Sequence, residues 1–278
     1  MGGNIMDLIK SLLEEFGMNP NEEISQSLKG IDYPKDYNPI EDFDKKIIER
    51  SKFINNLIQK GFLQNNISNF NVLEIGGGIC STAAAFANKC NTVISFELEK
   101  VHCLYAKRCK EYFNIQNLAI YLGSIIDIEG NKHYSIKSNS VDIVISYLGM
   151  FRFTILDSLD PIHETLKPNG KFICVYPRFW TNSTEINSTD KELLSRALSK
   201  NQDWNEFENK LKEKLSNLNF EIEHEGVFEN QEMIPIGGDV IIGSNIASTR
   251  EEYLNNPIEE IVFGKTLITC NTLICRKL

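Results

Sequence analysis

Apolar residues return at helical spacing in two stretches of the first third of the chain, MDLIKSLLEEF (Met6 to Phe16) and FDKKIIERSKFINNLIQKGF (Phe43 to Phe62). The second predicts a helix that stops near Gly61, where a residue free to take positive φ ends the periodic run. Between them GIDYPKDYNP is a turn-rich connection holding Tyr33 and Tyr37. After residue 66 the pattern changes. The short continuous apolar runs FNVLEI, NTVISFE, LAIYLG, VDIVISYL and GKFICVY predict strands covered on both faces. STAAAFANKC and KVHCLYAKRCKEYF come between them as helices, the latter expected to carry Val101, Leu104, Tyr105 and Tyr112 on one side. KELLSRALSKNQDWNEFENKLKEKLSNL predicts a further helix with a Trp204, Phe207, Leu211, Leu215 and Leu218 stripe, and FEIEHEGVF and KTLITCNTLICRKL predict two more strands. Strands alternating with helices imply an α/β, doubly wound, mostly parallel sheet. The expected division is a helical cap over 1–66 and an α/β domain over 67–278 with a helical insertion around 178–218.

The run NVLEIGGGICSTAAAFA places Gly76, Gly77 and Gly78 between the first strand and its helix. In a parallel sheet ligands bind beyond the carboxyl ends of the strands, and the turn there directs free backbone N–H groups toward the crevice. Glycines in that turn take positive φ and let a ligand come close to the main chain; a tight turn without a ligand is the plainer account. Glu97 ends the second strand nineteen positions after Gly78, where a carboxylate can accept both hydroxyl protons of a ribose. The dinucleotide fingerprint would need glycine at position 81, and Ser81 stands there. A nucleoside without a pyrophosphate fits better.

VLEIGGG, VISFELE, YLGSI, VDIVISYL and LKPNGKFICVY, in this order from about Phe70 to Tyr176, resemble the successive motifs of class I S-adenosylmethionine-dependent methyltransferases. The resemblance implies a Rossmann-like methyltransferase fold with a seven-stranded sheet and S-adenosyl-L-methionine as cofactor. It implies that Glu74 and Gly76 to Gly78 belong to the loop at the methionine half, that Glu97 binds ribose with Leu98 beside adenine, and that Ser124 and Ile125 line the adenine after Gly123. Ser124 stands where the family often has Asp. Ser146 and Tyr147, after the fourth strand, would face the transferable methyl group.

The acceptor leaves fewer marks. The Asp/Asn-Pro-Pro-aromatic motif of amino-methylating DNA enzymes is absent after the fourth strand, and a net charge of −9 supplies no basic field for a polyanion, so no nucleic-acid partner is expected. The glutamate pair of protein arginine methyltransferases is not matched either, since Tyr147 and Leu148 stand near its first member. Tyr33, Tyr37, Tyr147, Arg152, Arg178 and Trp180 are the candidates for binding a small-molecule acceptor through oxygen or nitrogen. His102, His133, His163 and His224 give no assignable base, and the catalytic residue is left unassigned. Seven cysteines without a Cys-x-x-Cys pair predict buried reduced thiols, no metal site and a cytoplasmic protein; no membrane span or signal pattern is expected. Three alternatives stay open: an aminopropyl or aminocarboxypropyl transferase on the same fold, a non-catalytic S-adenosylmethionine-binding module, and an NAD-dependent oxidoreductase, which Ser81 disfavours. Oligomeric state is not legible.

Overall fold

A computed structural model describes residues 39–98, 100–125, 136–150, 152–179, 201–228, 234–235, 240–241, 261–262 and 267–278. Helix α1 (Pro39–Gln59) opens on proline, which suits the first helical position because its missing N–H would have no partner there. Glu41 and Asp42 in its first turn pair with Lys45 and Lys46, each at 2.8 Å. The helix closes where the pattern predicts. Gly61 has φ +79, its N–H donates to Ile58 O at 3.0 Å, and Phe62 N–H donates to Leu57 O at 2.9 Å, the two bonds of a Schellman cap.

Six strands follow: β1 (Asn71–Ile75), β2 (Thr92–Glu97), β3 (Leu118–Leu122), β4 (Val141–Tyr147), β5 (Leu166–Phe179) and β6 (Phe220–Val227). Two-residue strands β7 (Ile234–Pro235), β8 (Val240–Ile241) and β9 (Ile261–Val262) precede the long β10 (Leu267–Lys277). The main sheet runs β3-β2-β1-β4-β5-β10-β6, with β7 beside β10, while β8 and β9 pair apart from it. β1 to β5 are mutually parallel and β10 is antiparallel to both β5 and β6. This is the doubly wound, mostly parallel seven-stranded sheet that the sequence predicts.

Helices α2 (Ser81–Ala87), α3 (Lys100–Tyr112), α4 (Arg152–Thr165) and α5 (Asn201–Asn217) complete the layers. Tyr147 lies in register with Val175, so Tyr176 projects to the opposite face of the sheet. Tyr147 meets Phe53 of α1 edge-on and Tyr176 meets Phe207 of α5, which puts helices on both faces. α1 packs on α2 and α3, and α5 packs on α4 and β6. Residues 201–217, which fall within the expected insertion, form this helix, with Phe207, Leu211 and Leu215 of the predicted stripe buried and the Trp204 side chain outside the described residues. On α3 the expectation needs correction: Tyr112 is exposed, and Cys103, Ala106 and Cys109 are buried beside Tyr105. Small side chains let this helix approach closely, and a pattern weighted toward large apolar residues undervalues them. The six cysteines with described side chains are all buried free thiols. Among the described residues no helix is long and apolar enough to cross a membrane, and no group of side chains is arranged to hold a metal ion.

Lys277 fastens β10 to the end of α4. The residue is only 8% exposed, and its ammonium donates to Asn139 Oδ1 at 2.9 Å, His163 O at 2.7 Å and Leu166 O at 2.7 Å. Three donors meet three acceptors, two of them carbonyls at the negative end of a helix. Lys277→Met keeps the apolar stem but leaves these acceptors unpaired, so it is expected to cost about 1–3 kcal/mol. Urea unfolding with an unchanged slope and a lower midpoint checks this; an unchanged midpoint refutes it.

Candidate functional site

β1 ends at Ile75, and the chain turns through Gly76, Gly77 and Gly78 before α2 begins. Gly76 and Gly77 both donate to Phe96 O of β2 at 2.9 Å, which binds the turn to the neighbouring strand. Gly76 has φ +70, and a Cβ placed on it would overlap the backbone of Gly149, just beyond β4. At Gly77 a Cβ would overlap Ser95 Oγ and come within 2.6 Å of Glu74 Oε2. Gly78 differs. Its φ is +55, and nothing lies within 4 Å of where its Cβ would be. Two glycines are therefore required by protein packing and the third borders open space. Cys80 continues the left-handed backbone at φ 59 and leads into α2 without a side-chain cap.

Two carboxylates hold this turn. Glu74, 1% exposed, accepts from Ser95 Oγ at 2.5 Å and from Ala83 N–H of α2 at 3.2 Å. Burial raises its pKa to about 7, against the lowering effect of those hydrogen bonds. Glu74 thereby ties the end of β1 to β2 and to the first turn of α2. Glu97, 7% exposed at the end of β2, accepts the Gly78 N–H at 2.5 Å through Oε2, and its Oε1 lies 3.8 Å from His102 Nδ1. The spacing of nineteen that suggests a ribose acid thus also ties the second strand to the glycine loop.

The other expected residues gather on the same edge of the sheet. Leu98 follows β2 and is 58% exposed, Ser124 and Ile125 are buried after β3, and the Gly123 N–H donates to Glu97 O at 2.8 Å. Ser146 and Tyr147 end β4; the Ser146 hydroxyl is buried with no hydrogen-bond partner among the described residues. Because β3, β2, β1 and β4 are neighbours, the Gly76–Gly78 loop, Glu97, Leu98, Ser124, Ser146 and Tyr147 line one end of four adjacent strands. Tyr33, Tyr37 and Trp180 lie outside the described residues, and for Arg152 and Arg178 only the backbone is described, opening α4 and near the end of β5. His163 packs on Phe220 with ring centroids 5.3 Å apart, His224 packs on Phe62 and Phe228, and burial lowers the pKa of both; His133 lies outside the described residues. Sequence reasoning missed Gly149, whose only signal is a glycine just after a buried strand, and Arg50, which the helical pattern places among the polar residues of α1.

No protein-family model and no curated protein sequence matches the chain. In fold the chain is similar to solved structures. Geranyl diphosphate C-methyltransferase from Streptomyces coelicolor has 9% identity and a TM-score of 0.49, with 100% of this chain and 99% of that one covered. A SAM-dependent methyltransferase from Aquifex aeolicus has 9% identity and a TM-score of 0.46, covering 87% and 100%. The [4+2]-cyclase SpnF has 13% identity and a TM-score of 0.47, covering 82% and 80%. By their names, these similar structures include S-adenosylmethionine-dependent methyltransferases, the family that the sequence motifs resemble.

Proposed function

We propose that the chain is an S-adenosylmethionine-dependent methyltransferase acting on a small-molecule acceptor at oxygen or nitrogen. The observation that carries this reading is the pairing of Gly78 with Glu97. A left-handed glycine with open space where its side chain would be lies against a carboxylate at the tip of the next strand, so a ligand can meet main chain and anion together. A carboxylate has roughly four lone-pair positions and can accept ribose hydroxyls as well as the Gly78 N–H. Exposed Leu98 offers an apolar surface beside it for a base. The open Gly78 position, the Glu97 carboxylate and the Ser146 hydroxyl, unpartnered among the described residues, fit such a cofactor.

When bound, S-adenosylmethionine supplies a methyl group already activated by a positively charged sulfur. The residues of this chain then have to bind it, orient an acceptor in line and exclude water. Gly76 to Gly78 and Glu97 fix the cofactor end, and Tyr147 at the β4 tip borders the acceptor side. The buried thiols support a reducing compartment such as the cytoplasm.

Calorimetry with S-adenosylhomocysteine tests the reading directly. Glu97→Gln keeps an oxygen for the Gly78 N–H but presents an NH2 where a second hydroxyl would donate. Binding is expected to weaken by about 1.5–3 kcal/mol, or roughly tenfold to a hundredfold. Glu111→Gln, an exposed carboxylate near the far end of α3, is expected to bind normally. No binding of S-adenosylhomocysteine to the unaltered protein refutes the proposal, and equal affinity of Glu97→Gln removes the ribose assignment. Product mass then separates an added methyl from a longer transferred chain.

A further inference from the structure

Among the described residues Arg50 is a cation without an adequate anion. Its side chain is 15% exposed, and its guanidinium carbon lies 3.7 Å from the centroid of the Tyr147 ring. Among the described residues its carboxylate partner is Glu49 at 3.8 Å, on a side chain that is 64% exposed. Nε is buried with no hydrogen-bond partner among the described residues. Buried charges in proteins are ordinarily paired and hydrogen-bonded, because desolvation penalises them otherwise. A neighbouring acid that faces water screens little of that cost. Stacking on an aromatic face offsets some of it but gives the Nε–H no acceptor. One helical turn earlier, Lys46 takes Asp42 as its own partner, so that carboxylate is already engaged.

The location gives this unmet charge a use. Tyr147 is the last residue of β4, and Gly149, two residues on, packs against Gly76 of the glycine loop. Phe53, one turn after Arg50 on α1, packs edge-on against the same Tyr147 ring and fixes it from a second side. We infer that Arg50, held flat on Tyr147, is a specificity-determining residue that receives an anionic group of the acceptor, a carboxylate or a phosphate. The planar fork of a guanidinium matches either anion with two parallel hydrogen bonds, which lysine cannot reproduce. The inference rests on the methyltransferase reading for the word acceptor, but anion binding itself can be measured independently of it.

The experiment uses the full chain with arginine side chains labelled with nitrogen-15. The Arg50 Nε–H resonance is identified by its loss in Arg50→Lys. Inorganic phosphate and acetate are titrated separately, each against chloride at the same ionic strength, with and without S-adenosylhomocysteine. A saturable shift of that resonance with phosphate or acetate but not chloride is expected, phosphate alone marking a phosphate group and acetate alone a carboxylate. Arg50→Gln should bind the same anion at least about tenfold more weakly, the worth of a hydrogen bond to a charged group, while its affinity for S-adenosylhomocysteine is unchanged. An unmoved resonance, an equal response to chloride, or undiminished anion binding in Arg50→Gln overturns the inference. The unaltered protein supplies the first two results even if Arg50→Gln fails to fold. Absence of S-adenosylhomocysteine binding refutes the methyltransferase reading instead and leaves the anion titration to be judged by itself.

Discussion

Gly76→Ala should destabilise the protein by about 2–5 kcal/mol, the sum of roughly 1–2 for a side chain on left-handed backbone and roughly 1–3 for forced overpacking. The new methyl group would overlap the carbonyl of Gly149, and neither main chain can yield without disturbing its strand. The two contributions can be separated on this molecule. Gly149→Ala meets the same contact from the other side, where a Cβ would overlap Gly76 O, so it reports the steric part. Gly78→Ala keeps only the backbone strain, because its φ of +55 comes with open space. Stability from denaturant unfolding should therefore place Gly76→Ala below both Gly78→Ala and Gly149→Ala. Binding of S-adenosylhomocysteine should single out Gly78→Ala among the folded variants, since its methyl would occupy the space left for a ligand. A Gly76→Ala protein as stable as the original would show that the two loops are not in contact.

Glu74→Gln should make the protein more stable above neutral pH and change little in acid. The folded carboxyl has a pKa of about 7, raised from 4.5 by burial. Between those values the folded chain holds a proton that the unfolded chain has released, so stability present below pH 4.5 is lost as pH rises through 7. Across this window the loss is on the order of 3 kcal/mol at most. Glutamine cannot ionise, and its amide keeps hydrogen bonds to Ser95 and to the Ala83 N–H. Unfolding at pH 5 and pH 8 should give a steep fall for the original protein and a shallower one for Glu74→Gln. Equal slopes would mean that the carboxyl is not desolvated in the folded state.

Local chemistry made much of this architecture legible. The end of α1 was readable because a Schellman cap depends on Gly61 and its immediate neighbours, and β1 to β4 because each is a short apolar run bounded by polar or turn residues. Glu97 was readable as a strand-tip acid near the glycine loop by its spacing, but its bond to Gly78 was not, since a carboxylate awaiting a ribose and one bonded to the loop leave the same letter. Gly76 and Gly149 require each other across a contact that no local window contains. On α3 the buried Cys103, Ala106 and Cys109 were passed over in favour of larger neighbours, because burial there follows from how close the helix comes to the sheet. Arg50 reads as one more charge on a polar helix face until Tyr147 is placed against it.

The place of β10 between β5 and β6 has a consequence for how the molecule is assembled. Residues 220–227 are made some forty positions before residues 267–277, yet in the finished sheet β6 touches β5 only through β10. While the chain emerges from the ribosome, β5 presents an unpaired flank of backbone groups and β6 has no strand to join. An edge of that kind can recruit the same edge of another growing chain. Closure waits on contacts distant in sequence, which slow folding, and Lys277 joins the end of α4 only when β10 has slid into the gap. Yield in a cell should accordingly respond more to changes in residues 267–277 than to equally buried changes in β2, which can pair with β1 soon after both are made.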